Sequence, residues 1–121
     1  MTAAGKILIV DDEAAMRELL QLHLANQGYE VFAAEDAVVA GHLVLREKPD
    51  LLIVDVHMPY MDGYEFVDAL KKDPQTRDIP VVFLSTDDNV AAQASRLGAA
   101  AYLPKPVMAD RLLEVVRLYV A

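Results

Sequence analysis
Short runs of consecutive apolar residues alternate along this chain with longer stretches whose apolar positions recur every three or four residues. Ile7-Leu8-Ile9-Val10, Leu51-Leu52-Ile53-Val54 and Val81-Val82-Phe83-Leu84 are runs of the first kind. They lack the alternation of a half-exposed strand and read as strands covered on both faces. Five strands are predicted, over Lys6–Val10, Glu30–Ala33, Leu51–Val54, Val81–Leu84 and Ala100–Leu103. The intervening stretches predict helices over Glu13–Asn26, Asp36–Glu47, Gly63–Lys72, Asn89–Leu97 and Met108–Tyr119. Met16, Leu19, Leu20 and Leu24 should form one face of the first, and Phe66, Val67 and Leu70 that of the third. Leu112, Leu113, Val116 and Tyr119 should form the stripe of the fifth. Gly28 stops the first helix, and the Lys48-Pro49 step stops the second, because a residue before proline avoids the helical region. Strands alternating with helices through short connections argue for a doubly wound α/β fold around a parallel sheet.

In such sheets ligands sit at the carboxyl ends of the strands. Asp11 and Asp12 follow the first strand, Asp55 the third, Ser85 the fourth, and Lys105-Pro106 comes just after the fifth. A single Asp at a strand end is ordinarily a turn residue or a helix cap. Five polar residues brought to one edge by independent strand assignments are a site. Three carboxylates gathered there disfavour their own ionised forms. A divalent cation relieves that conflict, and a lysine beside them can hold an anion. The pattern suits phosphate chemistry on an aspartate.

The 121 residues fit one domain, 1–121, long enough to bury roughly two thirds of the unfolded surface. An apolar content of 55% favours a packed globule, and a net charge of −8 counts against nucleic acid as a direct partner. With no cysteine there is no disulfide, thiolate metal site or Cys nucleophile. Met1 to Lys6 carry no apolar signal stretch and no run approaches bilayer length, so a cytoplasmic protein with no membrane partner is expected.

Four segments, taken together, resemble the receiver domain of two-component response regulators, the chemotaxis-type family. They are Ile7-Leu8-Ile9-Val10-Asp11-Asp12-Glu13, Asp55-Val56-His57-Met58-Pro59-Tyr60-Met61-Asp62-Gly63, Phe83-Leu84-Ser85-Thr86 and Gly98-Ala99-Ala100-Ala101-Tyr102-Leu103-Pro104-Lys105-Pro106. The resemblance implies a flavodoxin-like, five-stranded sheet in the order 2-1-3-4-5 with five helices. It also implies that Asp55 accepts a phosphoryl group from a phosphohistidine donor, a sensor histidine kinase or a phosphotransfer protein. Asp12 and Asp55 would bind Mg²⁺ directly, Asp11 mainly through a metal-bound water, and the His57 backbone carbonyl would add an oxygen. Lys105 would pair with the phosphoryl oxygens, and Pro106 would follow a cis peptide bond. Ser85 and Tyr102 would be the switch residues. His57 and Asp87 would flank the attacking water, and Thr86, in place of a smaller residue, would narrow access. The fourth and fifth helices with the fifth strand would face a downstream protein, a linked output domain or a phosphorylation-dependent dimer partner.

Two other readings compete. A phosphohydrolase built on an aspartyl phosphate needs a second acid two residues after the nucleophile, and His57 stands there. A receiver-like interaction module that no longer takes phosphate would not need the acidic triad, Ser85 and Lys105. A dinucleotide binder is disfavoured because no Gly-rich loop follows the first strand.

Overall fold
The computed structural model describes residues 5–120. Five strands form one parallel sheet: β1 (Lys6–Val10), β2 (Glu30–Ala34), β3 (Leu51–Asp55), β4 (Val81–Ser85) and β5 (Ala101–Pro104), in the order β2-β1-β3-β4-β5. Five helices alternate with them: α1 (Ala14–Ala25), α2 (Ala37–Glu47), α3 (Gly63–Lys71), α4 (Val90–Leu97) and α5 (Ala109–Tyr119). The fully buried strands β3 and β4 lie inside the sheet, and β2 and β5, each partly exposed, are its edges. The winding direction reverses at β1/β3, which opens a crevice at the carboxyl ends of those strands.

Side chains along a strand point alternately to its two faces. Leu8, Val10, Leu52, Val54, Val81 and Phe83 accordingly pack against α2, α3 and α4 through Ala40, Val44, Phe66, Val67, Val90, Ala94 and Leu97. Ile7, Ile9, Leu51, Ile53, Val82, Leu84 and Leu103 pack on the other face against Leu20 and Leu24 of α1 and Leu112, Val115 and Val116 of α5. Among the described residues no helix is long and apolar enough to cross a membrane.

Local chemistry sets the helix ends. Asp36 caps α2 by accepting from the Val39 amide at 2.9 Å, and Asp62 with Glu65 forms a capping box at α3. Gly28, after α1, and Gly98, closing α4, have φ of 92° and 72°, where a side chain would be strained. Lys48, before Pro49, ends α2 at φ 49°.

The boundaries differ from the sequence reading by one residue at several ends, for two reasons. Glu13, Asp36, Asn89 and Met108 are N-caps, not first helical residues, and Asn26 and Lys72 are C-caps. Ala34, Asp55, Ser85 and Pro104 remain in their strands because backbone pairing continues past the last large apolar side chain. Pro104 is tolerated as the last residue of an edge strand. Two expected core residues face outward: Leu19 is 45% and Tyr119 40% exposed. Leu19 lies about 100° around α1 from Leu20, and Val115 takes the inward position on α5 that the pattern gave to Tyr119.

Two glycines give opposite predictions. A Cβ at Gly63 would collide with the Asp55 carbonyl oxygen and stand 2.9 Å from Val56 Cα, whereas one at Gly41 meets nothing within 4 Å. Gly63→Ala should lower the unfolding free energy by about 1–3 kcal/mol. Gly41→Ala, inside α2, should raise it by about 1 kcal/mol. Urea denaturation of the two variants checks both signs.

Candidate functional site
The two-residue period of the strands accounts for the first part of the site. Asp11 and Asp55 continue the parity of Ile7, Ile9, Leu51 and Ile53, and Lys105 continues that of Leu103, so all three carry the parity of the α1/α5 face. The ladder extends beyond the strands, with the Asp11 amide donating to the Ala34 carbonyl at 3.1 Å and the Lys105 amide to the Ser85 carbonyl at 3.1 Å. Asp11 and Asp55 are buried, Asp12 is exposed, and carboxylate oxygens of the three lie within 4.8 Å of one another.

Lys105 reaches into this cluster. Its Nζ stands 3.0 Å from Asp55 Oδ1, 3.8 Å from Asp11 Oδ2 and 3.9 Å from Glu13 Oε1. The Lys105–Pro106 peptide is cis. The His57 amide donates to the same Asp55 Oδ1 at 3.3 Å, while the His57 side chain is exposed. Asp11 Oδ1 accepts from the Glu13 amide at 2.9 Å, and the Arg17 guanidinium ties the Asp11 carbonyl at 2.8 Å. Asp11 therefore organises the turn before α1 without being its N-cap, and Asp12 is not the cap either; that position is Glu13.

Ser85 and Tyr102 lie on the other parity. Ser85 is buried, and its Oγ accepts from the Asp87 amide at 2.8 Å. Tyr102, on edge strand β5, is 43% exposed and stands opposite Phe83 in the register. Thr86 is exposed and Asp87 partly buried. His23 and His42, for which the sequence suggested no role, lie on α1 and α2 and are not members of the acidic cluster.

The electrostatics are those of too much negative charge in too little water. Burial, reinforced by the charges of Asp55 and Asp12 and opposed by the Glu13 amide and Lys105, pushes the Asp11 carboxyl up to about 6. Burial also raises Asp55, against the lowering effects of the Lys105 hydrogen bond and charge and the His57 amide. For Lys105, burial acts to lower the pKa, but Asp55, Asp11 and Glu13 outweigh it and hold the ammonium above its ordinary value.

A hard divalent cation fits these residues. Among the described residues, the one buried side-chain oxygen or nitrogen with no hydrogen-bond partner is Asp11 Oδ2, a carboxylate oxygen of this cluster. An all-oxygen donor set with an exposed member, Asp12, suits a cation that keeps part of its water shell. The hollow lined by Asp12, Glu35, Asp36, Pro59 and Tyr60 adjoins this side of the cluster and adds further acids.

Sequence reasoning missed three contributors. Arg17 acts through a backbone carbonyl, which no motif reports. Gly63 lets α3 press on the end of β3, its amide donating to the Val56 carbonyl at 2.7 Å. Tyr64, the next residue, donates its hydroxyl to Asp87 Oδ2 at 3.3 Å.

The Asp11 value fixes the sign of a pH effect. The folded state binds this proton more tightly than the unfolded chain, whose Asp titrates near 3.8, so the contribution to stability falls as pH rises from about 4 to about 6 and stays low above that. Without divalent cations, Asp11→Asn should therefore be more stable than the unaltered chain at pH 7, by about 1–2 kcal/mol after allowing for solvent at the open side of the site. The gap should shrink towards pH 5, as urea midpoints in EDTA at the two pH values will show.

Comparison with known proteins agrees with this geometry. The family model for the response regulator receiver domain matches residues 7–117. Response regulator MprA of Mycobacterium leprae is 40% identical over 114 residues, which are 93% of this chain and 49% of that protein. The chain thus spans about half the length of the curated relatives it matches. Chemotaxis protein CheY4 of Vibrio cholerae superposes with a TM-score of 0.89 at 31% identity, over 99% of this chain and 100% of that one. The signal receiver domain of a signal transduction histidine kinase from Syntrophus aciditrophicus gives a TM-score of 0.84 at 35% identity, over 95% and 89% of the two chains. A crossover order of 2-1-3-4-5, an acidic cluster at its switch point and a match over nearly the whole chain lead to one conclusion: the chain belongs to the response regulator receiver family of two-component signal transduction.

Proposed function
We propose that residues 1–121 are a single receiver domain acting in the cytoplasm, whose Asp55 accepts a phosphoryl group from a phosphohistidine donor. The observation that carries this reading is the asymmetric setting of one carboxylate. Lys105 and the His57 amide both engage Asp55 Oδ1, which holds the group in one orientation and leaves Oδ2 as the attacking oxygen. A carboxylate is a competent nucleophile towards phosphorus. The Asp55 oxygen forms the new bond to phosphorus as the phosphorus–nitrogen bond to the donor imidazole breaks, and that imidazole leaves neutral once it has taken up a proton.

Such transfer depends mainly on positioning and on offsetting charge. Lys105, released from Asp55 as the carboxylate becomes an acyl phosphate, follows the phosphoryl oxygens as a compact point charge. Asp11, Asp12, Asp55 and the His57 carbonyl are the residues that would hold Mg²⁺, which would neutralise the carboxylates and the incoming phosphoryl group together. Slow hydrolysis returns the free aspartate, with His57, Thr86 and Asp87 at the mouth of the site setting its rate. Chemistry of this kind makes the protein a self-modifying signal carrier, not a metabolic enzyme.

Ser85 and Tyr102 would report the modification. A phosphoryl group adds a charge of about −1.5 to −2 and three strong acceptors. The Ser85 hydroxyl would donate to one of these oxygens and draw the β4–α4 connection inward, and Tyr102 would turn from its exposed position into the space released. The altered α4–β5–α5 face would then act on a downstream protein, a linked output domain or a second receiver. The receiver in MprA makes up about half of a longer response regulator, which supports the linked arrangement.

Asp55→Asn should abolish labelling by a small radiolabelled phosphodonor such as acetyl phosphate, and EDTA should suppress labelling of the unaltered chain. Undiminished incorporation into Asp55→Asn would refute the assignment. Ser85→Ala should still be labelled but should show a smaller phosphorylation-induced change in its amide spectrum. A full-sized change in that variant would remove Ser85 from the switch.

A further inference from the structure
Tyr64 is the second residue of α3 and, among the described residues, the only one of that helix whose side chain hydrogen-bonds the β4–α4 connection. Its ring meets Phe83 edge-on, with centroids 5.2 Å apart at 76°. Its hydroxyl donates to Asp87 Oδ2 at 3.3 Å. One side chain thus grips the chain at residues 83 and 87, on either side of Ser85. Asp87 in turn donates its amide to Ser85 Oγ at 2.8 Å. The Tyr64 hydroxyl, the Asp87 carboxylate and backbone amide, and the Ser85 hydroxyl form a continuous path from α3 to the end of β4.

Tyr64 also has the electrostatic signature of a held phenol. Burial, then the charge and hydrogen bond of Asp87, raise its pKa above the ordinary tyrosine value, against a lowering contribution from the Ser85 hydroxyl. The hydroxyl therefore stays protonated and serves as a donor to the carboxylate at neutral pH.

If Ser85 is to serve a phosphoryl group on Asp55, residues 85–87 must shift towards that group. The shift moves Asp87 relative to a hydroxyl carried by α3, whose first residue, Gly63, is pressed against the Asp55 and Val56 backbone. We propose that Tyr64 is a positioning residue of the switch, holding Asp87 and hence Ser85 in the resting arrangement and opposing the activated one. The proposal rests on the reading of Asp55 and Ser85 given above. It assigns Tyr64 no contact with phosphate. A hydrogen bond present in one of two conformations shifts their equilibrium by its net free energy.

The experiment is a double-mutant cycle. The unaltered chain, Tyr64→Phe, Asp87→Ala and the double variant are titrated with beryllium fluoride in Mg²⁺, following the amide resonances of residues 85–87. Tyr64→Phe keeps the ring against Phe83 and loses only the hydroxyl, so it should bind beryllium fluoride about fivefold more tightly, the weight of one partly exposed hydrogen bond. Asp87→Ala should bind more tightly as well, and adding Tyr64→Phe to it should bring no further gain. Equal or weaker binding by Tyr64→Phe overturns the proposal, and so does the same fivefold gain in the Asp87→Ala background. Failure of the unaltered chain to bind at all would instead bring down the underlying phosphoacceptor reading, and the Tyr64 role with it.

Discussion
The site depends on a charge imbalance that the fold creates. Asp11, Asp12 and Asp55 present oxygens within 4.8 Å of one another, and Lys105 is the ammonium that reaches them. At an effective dielectric of about 20, two like charges at that separation repel by roughly 3 kcal/mol. One lysine offsets part of this, most strongly at Asp55, where it lies closest, and leaves Asp11 Oδ2 buried with no donor. Burial raises the pKa of both buried acids, with a further contribution from their acidic neighbours. A domain tolerates such a cluster only when the rest of the sheet is well packed, and here every residue of β3 and β4 is buried. Stability is given up locally, at a cluster where a divalent cation could restore it.

Strand parity then separates the chemistry from its readout. Asp11, Asp55 and Lys105 follow the residues that face α1 and α5, whereas Ser85 follows Val81 and Phe83, which face α2, α3 and α4. The two sets meet at the sheet edge, where the Lys105 amide donates to the Ser85 carbonyl. In the proposed mechanism a change of charge on one side of the sheet is therefore felt on the other through one shared backbone, without any long conduit. Tyr64 belongs to the readout side, where its hydroxyl reaches Ser85 through Asp87.

Much of this was legible in the chain because two periodicities report different things. Continuous apolar runs located the buried strands, and the first polar residue after each run located the site. The same signal misplaced the strand ends. Asp55 and Ser85 end the apolar run but continue the ladder, since backbone pairing does not require an apolar side chain. Leu19 and Tyr119 were drawn inward by a pattern that counts apolar residues but not the width of the surface covering them. Glu13, Asp36, Asn89 and Met108 lie just outside their helices because caps have extended or irregular backbones while contributing to the first turn. The path from Tyr64 through Asp87 to Ser85 had no sequence signal at all. It joins residues 23 positions apart, and on α3 alone Tyr64 is one more aromatic residue on an amphipathic helix.

The relatives sharpen what this arrangement constrains. Closely similar folds occur in a chemotaxis protein that this chain matches over its full length and in a histidine kinase receiver, and similar sequence makes up half of a longer response regulator. Every group placed at the carboxylate cluster here lies between Asp11 and Lys105, and each is held by contacts inside the sheet and its own helices. Nothing in that set calls on α5 beyond its burial of Leu112, Val115 and Val116. In the proposed mechanism chemistry and attachment are thus physically separable: the carboxylate cluster takes the phosphoryl group, while the exposed faces of α4, β5 and α5 meet whatever the receiver controls. Tyr64 falls between the two, since α3 packs on the site at one end and reaches the β4–α4 connection with its first side chain. A residue so placed can, on this proposal, set how readily the domain switches through Asp87 without contributing a group to the carboxylate cluster.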